Sequence, residues 1–64
     1  MNTANPSRPD WYTTSREGGV EMLQYFDGAT WSAPCYAEDP EHIKLRARNA
    51  PAASDDVIEW EPAA

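Results

Sequence analysis

His42 and Cys35 are each the only residue of their type among these 64, so they are the first places to look for chemistry. A general base needs a partner and a pocket, and a metal site needs several ligands at fitting spacing. His42 has neither in the sequence around it. On a helix Arg46 stands one turn along, a cation and no acid–base partner, and His42 reads as an exposed structural histidine. Cys35 becomes a nucleophile only beside an activating base or a cation. It falls in an expected strand that faces aromatic residues, where cysteine behaves as a small apolar side chain, buried and inert. A lone cysteine also excludes an intramolecular disulfide and leaves a thiolate zinc site without ligands.

The carboxylates fall into two groups, Glu38-Asp39 with Glu41, and Asp55-Asp56. Oxygen-cage calcium loops place ligands at alternate positions around a turn-forming glycine, and neither group does so. Helix capping accounts for the first group and solvation for the second. With Asp27, Glu59 and Glu61 they make an extended acidic surface. The sequence therefore predicts no catalytic residue, no cofactor and no metal, and the expectation is a protein that is not an enzyme.

Charge narrows the partners. Five Lys and Arg stand against eleven Asp and Glu, a formal net charge of −6. Gripping phosphates requires a basic surface, so direct nucleic-acid binding and adhesion to anionic lipid are both disfavoured. A protein partner with a basic surface fits better, including an enzyme that itself handles nucleic acid. Residues 1–38 carry −3, residues 39–48 carry +1 and residues 49–64 carry −4. The last segment sets Asp55, Asp56, Glu59 and Glu61 around Trp60, an aromatic anchor inside a charged rim. Those residues and Tyr25 are the expected partner-binding set. Trp11, Tyr12, Tyr25, Tyr36 and Trp60 are more aromatic surface than a chain this small can bury completely.

The elements that must position these side chains hang on Asp27-Gly28. An Asp-Gly pair between the aromatic-rich runs Tyr25-Phe26 and Ala29-Thr30-Trp31 is a strong hairpin signal. Val20–Phe26 and Trp31–Tyr36 are its expected strands. A two-residue loop pairs Phe26 with Ala29 and a four-residue loop pairs it with Trp31. Both put Val20, Met22, Phe26, Trp31, Ala33 and Cys35 on one face, with Gln24 the only polar intruder. Leu23, Tyr25 and Pro34 fall on the other. Trp11–Arg16 is β-prone and reads as a first strand, closed by a turn at Glu17-Gly18-Gly19. Asp39 as cap, Pro40 at the first helical position and Glu41 in the first turn open a helix that ends near Arg48. Asn49 is its C-cap and Pro51 forbids continuation. Ile43, Ala47 and Ala50 form the apolar stripe, with Leu45 pointing away. Val57–Trp60 is a last short strand, stopped by Pro62.

The fold class that results is α+β: a small antiparallel sheet of three to four strands with one short helix, in the order β-β-β-α-β. Residues 1–9 are polar, twice interrupted by proline, and read as a flexible arm. Residues 10–62 make a single small domain and residues 63–64 a tail. No apolar run approaches the roughly 18 residues of a membrane span, and the N-terminal residues lack the basic and apolar regions of a signal peptide. With one unpaired cysteine, the expected location is the cytoplasm.

At Asp10-Trp11-Tyr12, Gly18-Gly19, Tyr25-Phe26-Asp27-Gly28-Ala29-Thr30-Trp31 and Pro34, the chain resembles a family of WW-like modules built on an aromatic-Asp-Gly-x-x-Trp hairpin. The likeness covers residues 10–34, and Phe26 stands where that family usually has Trp. It implies packing of Trp11 on Pro34. The whole-chain layout, through Pro34-Cys35-Tyr36-Ala37-Glu38 entering a short helix and then a strand, looks like small phage-encoded proteins that bind and inhibit host enzymes. That likeness implies a phage or prophage accessory protein acting in the host cytoplasm, and the expected state is a monomer or weak homo-oligomer. The other expectation is a structural or assembly component that works through self-association.

Overall fold

A computed structural model describes residues 4–16, 19–52 and 59–63. The chain is α+β, as expected. Strand β1 is Asp10–Ser15, β2 is Glu21–Phe26, helix α1 is Glu41–Arg48 and β3 is Glu59–Pro62. The sheet is antiparallel throughout, in the order β2-β1-β3. β1 is thus the central strand. Its residues pair with β2 from Asp10 opposite Phe26 to Ser15 opposite Glu21, and with β3 from Tyr12 opposite Pro62 to Ser15 opposite Glu59. Pro62 is the last paired residue of β3; Val57 and Ile58, expected to start that strand, lie outside the described residues.

The turn after β2 has the four-residue form. Phe26 pairs with Trp31, and the Asp27 N–H donates to the Thr30 carbonyl at 3.2 Å. Gly28 has φ +102°, a region that glycine enters without a Cβ clash. The Asp27 carboxylate closes the loop by accepting the N–H groups of Ala29 at 2.8 Å and Thr30 at 2.7 Å.

The expected strand over Trp31–Tyr36 does not form, and the order is β-β-α-β. Only isolated bridges remain: Phe26 with Trp31, Leu23 with Cys35, and Ser32 with Pro51. The reason lies in where the main-chain donors go. Pro34 has no N–H, and the Ala33 N–H turns away to the Ala50 carbonyl at 2.9 Å. Between the two bridges to β2 the Trp31–Cys35 side holds one residue more than its partner. The surplus is a bulge, and beyond it the register slips by one. Cys35 therefore lies opposite Leu23 and not Met22, a correction to the face assignment.

Helix α1 begins at Glu41 after Pro40, whose φ of −66° and ψ of 158° are extended. No side chain caps it. Asp39, expected in that role, instead accepts the Tyr36 N–H at 2.8 Å, holding the tight turn that delivers the chain to Pro40. The helix ends at Asn49 as expected, and the Asn49 N–H still reaches the Leu45 carbonyl at 3.2 Å. Among the described strands, α1 packs most closely on β2.

Among the described residues of the domain, Tyr12, Phe26, Cys35 and Ala47 are buried apolar side chains. Val20, expected on the core face, is 60% exposed, because β2 starts one residue later and leaves it outside the ladder. Leu45 points outward as expected, 56% exposed. The most buried side chains are polar: Thr14 and Gln24, both 0% exposed. The arm at Ala4–Pro9 lies against the sheet. Tyr12 Oη donates to the Arg8 carbonyl at 2.8 Å, Trp60 Nε1 donates to the Ala4 carbonyl, and Pro6 between them is buried.

Candidate functional site

Alternation along the strands sorts the side chains into two faces, and pairing fixes which of them meet. One face carries Tyr12, Thr14, Met22, Gln24, Phe26 and Trp60. Tyr12 is its hub, with ring centroids 4.8 Å from Trp60 and 5.8 Å from Trp31, each edge-on. Trp31 in turn lies 5.0 Å from Phe26. Beneath these rings Thr14 Oγ1 donates to Gln24 Oε1 at 2.5 Å, and Gln24 Nε2 donates to the Ser32 carbonyl at 2.9 Å. This side of the sheet is core.

The other face is the more open one. Three rows cross it. Trp11 and Tyr25 form the first, with ring centroids 5.5 Å apart and planes at 71°. The second is Leu23, Thr13 and Glu61. Glu21, Ser15 and Glu59 form the third. An aromatic end thus runs into an acidic end. Over the aromatic end the Arg48 guanidinium, from the last turn of α1, stands 4.3 Å from the Tyr25 ring centroid. The arrangement is a cation over a π face. A cleft of about 260 Å³ opens beside it, with Asp27 and Ser32 in its lining.

The expected partner-binding set is divided by this geometry. Tyr25, Glu59 and Glu61 share the open face. Trp60 sits between Glu59 and Glu61 in sequence, so the strand pleat turns it to the other side, against Tyr12 and the arm. Asp55 and Asp56 lie outside the described residues. Trp11, Thr13 and Glu21 join the face without having been singled out for it. Their alternation was visible in the sequence; the central place of β1, which brings Glu21 and Glu59 to either side of Ser15, was not.

The residues read for chemistry are separate. Cys35 is buried, its Sγ donates to the Leu23 carbonyl at 3.5 Å, and burial followed by the charge of Asp39 pushes its thiol up from the ordinary 9.0. It is held as the neutral thiol. His42 is exposed on α1. The Asp27 carboxyl is held below its ordinary value of 3.8, first by the N–H groups of Thr30 and Ala29. Among the described residues no three of His, Cys, Asp and Glu converge on a metal-sized site. No helix among the described residues is long and apolar enough to cross a membrane. No family model, curated protein or solved structure matches the chain.

Proposed function

We propose that this chain is a small non-enzymatic protein-binding module whose open sheet face meets a basic surface on a partner protein. The observation that carries the reading is the shared placement of Trp11, Tyr25, Glu21, Glu59 and Glu61 on one face. The aromatic pair supplies rigid buried area and the acids supply encounter rate and orientation. A host enzyme with a groove for nucleic acid presents the matching charge, and modulation of such an enzyme by a phage or prophage accessory protein is the setting proposed for it. The module then acts by occupying its partner's surface.

Self-association is the less favoured reading because its natural route is poorly furnished. β3 is an end strand of the sheet, but it is four residues long, carries two glutamates and ends in Pro62. Short, charged, proline-ended edges discourage strand addition.

The test begins with capture of a partner from bacterial lysate by the full chain, followed by identification by mass spectrometry. Binding should weaken as salt rises, since exposed charges are screened beyond about 8 Å at physiological ionic strength. It should also slow in a Glu59→Gln, Glu61→Gln variant and weaken in Tyr25→Ala. Binding indifferent to salt and to both variants would reject this face, and a homo-oligomer as the sole product would favour self-association.

A further inference from the structure

Three of the chain's five basic residues, Lys44, Arg46 and Arg48, lie on the eight residues of α1, in a protein of net charge −6. Two of them are engaged: Lys44 Nζ is 3.9 Å from the Glu41 carboxylate, and Arg48 covers Tyr25. Arg46 is exposed and has no hydrogen bond or ion pair among the described residues. It borders a cleft of about 350 Å³ between α1 and the segment that follows the bulge. Met22, Pro34, Ile43 and Ala47 give this cleft apolar walls, and the half-exposed Tyr36 stands beside them. Its size is at the small end of ligand-binding pockets.

We propose that this cleft is a second docking surface, which takes one large apolar side chain from an acidic segment of a partner protein and pairs the neighbouring carboxylate with Arg46. Charge complementarity selects that occupant. The helix is the one segment of the sequence with a positive balance, and Arg46 offers a planar fork of donors suited to a carboxylate. Asp39 lines the same cleft with its carboxylate already bound to the Tyr36 N–H. An incoming acid is repelled there and drawn to Arg46, which fixes the direction of the segment. The preference is opposite in sign to that of the Glu21–Glu59–Glu61 face and shares none of its residues, so it stands or falls separately.

The experiment uses the full chain, isotope-labelled, and three acetylated hexapeptide amides observed by NMR titration. The first is Asp-Glu-Leu-Phe-Asp-Glu, the second replaces its acids with lysine, and the third replaces Leu and Phe with alanine. The first peptide should shift the signals of Met22, Tyr36, Ile43 and Ala47 selectively, and the other two should not. Arg46→Gln should weaken that binding by about threefold and Arg46→Glu by about tenfold, the scale of one exposed ion pair and its reversal. Both variants should keep the parent's thermal midpoint, because Arg46 is exposed. Shifts centred elsewhere, equal binding of the lysine peptide, no binding at millimolar peptide, or unchanged binding by Arg46→Glu would each overturn the proposal.

Discussion

The side-chain amide of Gln24 donates to the main-chain carbonyl of Ser32 at 2.9 Å, beside the point where the facing segment gains its extra residue. The Ser32 hydroxyl completes the splice by accepting the Tyr25 N–H at 2.9 Å. A bulge leaves main-chain groups without ladder partners. Here two side chains stand in for the missing rung, and one of them is fully buried. The residue that breaks the apolar pattern of β2 is the one that fastens the irregular segment to it.

Removing that fastening should be costly. Gln24→Leu keeps most of the volume but leaves the Ser32 carbonyl without its side-chain donor and the Thr14 hydroxyl with only its 3.5 Å bond to the Met22 carbonyl, at about 2–4 kcal/mol. Adding Thr14→Val removes that poorly paired hydroxyl, so the double variant should be less destabilised than the sum of the singles. The expected coupling is about 1–2 kcal/mol. Chemical denaturation of the four proteins measures it, and strict additivity would mean that the Thr14–Gln24 bond contributes nothing of its own.

Gly28→Val should destabilise by about 1–3 kcal/mol, because a β-branched residue is strained at positive φ. Crowding is a lesser cause: a Cβ at Gly28 would sit 3.5 Å from Pro9 Cγ, an ordinary contact. Gly28→Ala should therefore recover only part of the loss. A thermal midpoint unchanged by either variant would be incompatible with the turn.

The hairpin should also respond to acid. Asp27 titrates below its ordinary value of 3.8 in the folded protein. A carboxyl with a depressed folded value contributes its stability above the unfolded value and loses it as pH falls through the folded one. Stability should thus decline from about pH 4 downward, and Asp27→Asn should flatten that part of the profile. Denaturation midpoints from pH 6 to pH 2 test this, and identical slopes in parent and variant would remove Asp27 from the acid response.

Trp31 and Tyr25, on opposite faces, should differ in weight. Trp31 links Phe26 to Tyr12 in the aromatic row, and Trp31→Ala should cost about 3–5 kcal/mol. Tyr25 lies on the open face against Trp11, and Tyr25→Ala should cost less. Thermal melts rank the two; the reverse order would place the core on the other face.

What the sequence disclosed was local. Asp27-Gly28 specifies its turn through the chemistry of two residues, and Pro40, Asn49 and Pro51 bound the helix in the same way. Strand alternation put Tyr25 opposite in sense to Phe26 and Trp31, which is correct. It also told that Gln24 would face inward, but its partners come from Thr14 and Ser32, two separate segments, and parity names no partners. The bulge was half legible, since Pro34 in Trp31–Cys35 has no N–H to give a ladder. The competition of Ala50 for the Ala33 N–H, the other reason the strand fails, is a long-range fact. The candidate site suffered most, since Glu59 and Glu61 join Trp11 and Tyr25 through the central position of β1, a long-range fact. Trp60, which stands between the two acids in sequence, is turned to the opposite face by the strand pleat.

The bond from the Trp60 indole to the Ala4 carbonyl joins residues 56 apart in the chain. During synthesis Ala4 emerges first and Trp60 long after it. In the interval the arm has one partner close in sequence, the Tyr12 hydroxyl four residues on. The remaining contact must wait until β3 has left the ribosome and closed a loop of 56 residues, and the entropic cost of closure grows with loop length. Until then the aromatic row around Tyr12 lacks its Trp60 end. A nascent chain of this protein thus keeps its aromatic row incomplete until Glu59–Pro62, made well after it, arrives to close it.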